Sequence, residues 1–158
     1  MMNSPTTTPM TPKPKSPQTL QKRPRPRPNP AGLTRQRAAF EHLLAGFRAS
    51  ADRTPAERWS YLEAAHVLAQ NRFVLHWRSH WHMLRFAREL GHRAEARGQL
   101  ARLGLTVFGH LVQRLPQGNT GRAHVPALQP MVPPAAVRAR ISEAMASVAP
   151  PANAPATT

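Results

Sequence analysis

The sequence predicts an all-α protein, and three observations carry that reading. Between Leu33 and Leu115 there is a single proline, Pro55. No stretch alternates apolar and polar residues as a half-buried strand would. Apolar residues instead recur at the spacing of one helical face, in blocks separated by turn signals. The expected architecture is four main helices, arranged as two stacked tetratricopeptide-like α-hairpins or a small bundle, plus a short C-terminal helix.

Each element has its own signature. Thr34 can cap a first helix whose inner face holds Phe40, Leu43, Leu44 and Phe47. The break at Asp52-Arg53-Thr54-Pro55 starts the second. Thr54 is its N-cap, Pro55 suits the first helical position, and Glu57 sits three residues on to close a capping box. That helix should run to about Gln70, with Trp59, Leu62, Ala65, His66 and Ala69 on one stripe. A third helix covers Phe73 to about Leu90, with Phe73, Trp77, His80, Leu84 and Ala87 in register, and Gly91 ends it. The fourth, from Arg93 to about Val112, is weakened by Gly98, Gly104 and Gly109. The turn-rich loop QGNTGRAHVPALQPMVP follows Pro116, and Pro133-Pro134 opens the last helix, near Ala135–Ser147. Within that loop Gly118 and Gly121 permit positive φ, and Asn119 can bond the backbone ahead of it. The segment reads as a tight turn laying the C-terminal part across the helices, and only weakly as an anion nest.

A shift of 38 residues places Ala56, Glu57, Leu62 and Ala65 over Ala94, Glu95, Leu100 and Leu103. This faint repeat is the reason for the hairpin alternative, although the first helices of the two units do not match at that offset.

The chain has 158 residues, 22 Lys+Arg against seven Asp+Glu, a net charge of +15 and no cysteine. This size suits one domain. The lack of cysteine excludes a disulfide framework, a zinc ribbon and a thiol nucleophile. There is neither a spanning apolar run nor a signal-peptide pattern, so the expectation is a soluble cytoplasmic protein with no membrane role. Residues 1–30 hold nine of the 18 prolines and six cations, and the remainder carries 16 Arg against seven acids, a net of +9. We therefore divide the chain into a disordered basic Pro-rich tail (1–32), a helical domain (33–149) and a low-complexity C-terminus (150–158). The cationic run over residues 13–27 could contact nucleic acid or an acidic partner; as the plainer alternative, it is a solubilising extension.

The residues with chemistry are Glu63, His66, His76 and His80. Glu63 and His66 are three apart on the second helix, and His76 and His80 four apart on the third. The connection near Gln70–Arg72 is short, so the two helices should be antiparallel neighbours and both pairs can face one space. Three imidazoles and a carboxylate suit zinc, iron, copper or nickel. His82 projects about 200° away from His80 and is excluded. Against this stands a plainer reading: histidines on apolar stripes that are simply buried and hydrogen-bonded. Trp59, Trp77, Trp81 and Met83 are expected in the core. Catalysis is not expected, because no second carboxylate is placed in the interior: Glu89 and Glu95 fall toward the far end of the hairpin. No phosphate loop, nucleophile elbow or His-Glu-x-x-His motif is present.

Three blocks, taken together, resemble a family. Leu62-Glu63-x-Ala65-His66-Val67-Leu68-x-Gln70, His76-x3-His80-Trp81-x-Met83-Leu84 and Pro116-x-Gly118-Asn119-Thr120-Gly121 are similar to a small bacterial family catalogued as domain of unknown function 3703. The likeness spans about residues 37–134 and leaves the tail outside. Members typically read ERAHVLGQ and GNTGG, so Ala64, Ala69 and Arg122 depart from the pattern. The resemblance implies a compact helical domain, directs attention to the same four residues and supplies no reaction. Two functions follow as expectations: a helical binding domain taking a transition metal, or a tetratricopeptide-like interaction scaffold with a basic tail. Neither is an enzyme.

Overall fold

A computed structural model describes residues 29–111 and 117–149, with the side chains of residues 108–111 excepted. The expected tail and C-terminus fall almost wholly outside these residues, as does Val112. The described residues form five helices: α1 (Pro30–Ala49), α2 (Pro55–Ala69), α3 (Phe73–Glu89), α4 (Arg93–Leu111) and α5 (Ala135–Ser147). The all-α expectation holds, and a helical bundle describes the result.

Helix α1 begins a turn earlier than Thr34. Asn29 is the N-cap, its side chain accepting from the Ala31 amide at 3.1 Å, with Pro30 at the start of the helix. Thr34 instead donates its hydroxyl to the Pro30 carbonyl. Asn29-Pro30 carries the same cap-then-proline signal as Thr54-Pro55, where the capping box with Glu57 is complete. Gly91, at φ +69°, closes α3 in a left-handed turn in which the His92 amide reaches the Ala87 carbonyl.

Helices α1 to α4 pack each on the next, and α5 returns to cover α1 and α2. The core lies among Phe40, Leu43, Leu44, Trp59, Leu62, Met83 and Phe86, all buried. Helices α2 and α4 do start 38 residues apart, but the repeat does not extend to environments: Leu62 is buried and Leu100 is 63 % exposed.

Two tryptophans correct the expected core. Trp77 and Trp81 are 38 % and 44 % exposed, and stack on one another with centroids 6.0 Å apart. A strict four-residue step advances about 40° around a helix each time. The Phe73–Trp77–Trp81 series therefore winds off the inner face. The buried side of α3 is instead Leu75, His76, Ser79, His80, Met83, Leu84, Phe86 and Ala87, and it includes His76 and His80.

Candidate metal centre

The short α2–α3 connection brings His66, near the end of α2, against His76 and His80, in the first half of α3. All three are buried. Their ring centroids are 4.6–5.0 Å apart. One ligand nitrogen from each ring lies within 4.8 Å of the other two. His66 Nε2 lies 3.0 Å from His76 Nε2.

In His66 and His80 the proton is placed by an oxygen beside Nδ1. His66 Nδ1 is 2.9 Å from the Asn119 carbonyl, so Nδ1 carries the hydrogen and Nε2 the lone pair. His80 Nδ1 is 2.8 Å from Gln99 Oε1. The orientation of that amide is set from its other end, where Gln99 Nε2 donates to Glu95 Oε1 and to the Gly121 carbonyl, both at 2.8 Å. His80 therefore also donates through Nδ1 and presents its lone pair at Nε2. Outer partners of this kind orient metal-binding histidines. The His66–His76 contact, with a lone pair on one side, calls for a proton on His76 Nε2 or a cation shared between the rings.

Burial is the main cause that holds His66 well below the usual imidazole pKa, with the neighbouring His80 and His76 next. Burial likewise pushes His80 down to about 4, against the pull of its Gln99 bond. Both rings are therefore neutral at pH 7, the form that ligates a metal.

The loop after α4 forms the roof. Asn119 Oδ1 accepts from the Gly121 amide, as its side chain was expected to do, while Nδ2 donates to the Pro126 and Gln129 carbonyls. Gln70 ties this loop to α2, donating to the Asn119 carbonyl at 2.7 Å and accepting from the Gly118 amide at 2.9 Å. Gly121 has φ +79°, and a Cβ there would lie 2.8 Å from three atoms of the His66 ring. Only glycine fits both the backbone conformation and the space.

Glu63 does not join the histidines. Its carboxylate is 3.1 Å from Arg122 Nη1, and the Arg122 guanidinium lies 3.8 Å over the Trp59 ring. Burial raises the Glu63 pKa from its ordinary value, although Arg122 pulls the other way. The interior does hold another carboxylate, contrary to expectation. Glu95 is buried one turn before Gln99 on α4, where it accepts from Gln99 and from the Ala123 amide. The α3–α4 packing brings the start of α4 back beside the middle of α3. His82 is not in the cluster, and His124 is exposed.

Sequence reasoning did not single out Gln99 or assign Gln70 a role. The available signal was amide side chains on otherwise inward-facing positions, where each must find hydrogen-bond partners.

A family model described as protein of unknown function DUF3703 matches residues 34–141, which takes in every residue of the cluster and its roof. The chain belongs to this family. No curated protein and no solved structure matches it. Among the described residues of this DUF3703 domain, no helix is long and apolar enough to cross a membrane.

Proposed function

We propose that this DUF3703 domain is a non-enzymatic binding module for a transition-metal ion, with His66, His76 and His80 as ligands. One observation carries the reading. Three buried imidazoles converge, and His66 and His80 each donate through Nδ1 to an oxygen acceptor, which leaves the lone pair of each on Nε2. A purely structural histidine needs its hydrogen bonds satisfied, but it does not need two further imidazoles against its ring. Glu63, expected as a fourth ligand, acts in this reading as the counter-charge of Arg122.

The full-length protein should bind one equivalent of metal in anaerobic titration followed by elemental analysis, and His76→Ala should retain none. Circular dichroism would establish that the variant is folded. A folded wild-type protein that takes up no transition metal at micromolar concentration defeats the proposal.

The alternative, an interaction scaffold, is favoured by the exposed Trp77–Trp81 stack with Arg85 and Arg88 exposed on the next turns of α3. That face suits an acidic partner. Binding there should weaken steeply with salt and be lost in Trp77→Ala/Trp81→Ala.

A further inference from the structure

The donor set and the charges around it point to the kind of ion, an inference that rests on the proposed metal site. We infer that the site is built for monovalent copper, held by three neutral imidazoles, rather than for a divalent ion.

The first argument is electrostatic. A histidine ligates a metal as neutral imidazole, so the ion's whole charge must be accommodated by the surroundings. The two nearby carboxylates are already engaged. Glu63 is paired with Arg122, and Glu95 accepts from Gln99 and the Ala123 amide and lies 3.3 Å from Arg122 Nε. Arg102 adds a buried positive charge, and its Nη2 donates to two neutral acceptors, the carbonyls of Arg122 and Val125. Glu63 and Glu95 thus balance Arg102 and Arg122, and these four leave no negative charge over. The cost of placing an ion in such an interior grows with the square of its charge, so a divalent ion costs roughly four times as much as a monovalent one.

The second argument is coordination number. Among the described residues no other His, Cys, Asp or Glu joins the three. Zinc takes four ligands, either four from the protein or three with an open position for water. Divalent copper and nickel favour a square of donors, and non-haem ferrous sites include a carboxylate. The Gly121 backbone lies against the His66 ring, where an added Cβ would overlap it. Monovalent copper has a filled d shell, accepts imidazole nitrogen and is content with three ligands. Of the ions that imidazole suits, it is the one whose charge is smallest and whose coordination three imidazoles complete without a fourth ligand.

The experiment compares ions on the full-length wild-type protein under anaerobic conditions at pH 7. Monovalent copper would be titrated in competition with bicinchoninate, and zinc in competition with a chromophoric zinc chelator. The expected result is one equivalent of monovalent copper, bound about a hundredfold or more tightly than zinc. X-ray absorption of the copper-loaded protein should show three nitrogen scatterers, and folded His76→Ala should lose the bound copper. Zinc bound as tightly as copper and lost in His76→Ala would overturn this inference and leave the metal site standing. Copper bound equally well by wild type and His76→Ala would place it elsewhere on the chain and overturn the inference. Failure of both ions to bind would remove the site itself.

Discussion

A single glycine shows how closely the roof is fitted to the ring beneath it. Gly121 combines a left-handed backbone with contact against the His66 ring, and its amide and carbonyl are both engaged, by Asn119 and Gln99. Gly121→Ala therefore meets two penalties at once. The positive φ alone costs about 1–2 kcal/mol for an L side chain. The overlap with the His66 ring adds to that, because the ring is itself held by Asn119 and cannot swing aside freely. Urea unfolding of Gly121→Ala should show a lower midpoint, with a loss beyond the backbone term alone. Gly104→Ala is the control: a Cβ there meets nothing within 4 Å, so removing a mid-helix glycine should leave stability unchanged or raise it. A Gly121→Ala variant as stable as wild type would mean that the roof is not packed on the ring as described.

At the level of helices and loops, the cluster is an assembly of four segments, each of which supplies something the others cannot. Helix α2 gives His66 and, at its C-cap, Gln70, α3 gives His76 and His80, α4 gives Gln99 and Glu95, and the loop gives Asn119 and Gly121. Gln99 is the joint between α3, α4 and the loop. Gln99→Met keeps the volume and removes the amide, so His80 Nδ1 loses its acceptor and the Gly121 carbonyl its donor. Losing an outer partner of this kind typically weakens metal affinity about 10–100-fold. Competition titration of the variant should show a drop in that range with stoichiometry intact, and undiminished affinity would show that Gln99 does not orient His80. This joint also marks where the sequence stops being legible. Helix boundaries set by local chemistry, such as Thr54-Pro55-x-Glu57 and Gly91, can be read from neighbouring residues alone. The convergence of His66, His76 and His80 follows from helical spacing and one short connection. The partners of Glu63 do not, because Arg122 lies 59 residues away and reaches it only through the path of the loop. Trp77 and Trp81 were misplaced for a related reason: spacing defines a stripe, but the positions of α2 and α4 decide which part of it is covered.

For the molecule as a whole, the buried imidazoles tie global stability to pH. In the metal-free protein, burial holds His66 and His80 well below the ordinary imidazole range, His80 at about 4. In the unfolded chain both titrate near 6.5. Below that value the unfolded state binds protons that the folded state refuses, so acid favours unfolding. For His80 the stabilisation is complete above about pH 6.5 and is lost as pH falls toward about 4, where the native ring itself takes up a proton, and His66 acts in the same direction. Because the cluster joins α2, α3, α4 and the loop, charging it does not act on one side chain alone. Two cationic imidazoles whose centroids are 4.6 Å apart would repel across the packing of α2 on α3. Urea midpoints of the metal-free chain, measured at steps from pH 7.5 down to 4.5, should be level at the top and fall steadily below about 6.5. His80→Gln, which cannot be charged, should flatten that fall. Zinc or copper should oppose it too, since a bound ion competes with the protons for the same Nε2 lone pairs. A midpoint that stayed constant from pH 7.5 to 4.5 in the metal-free protein would show that His66 and His80 take up protons alike in the folded and unfolded chain, against the burial of both rings.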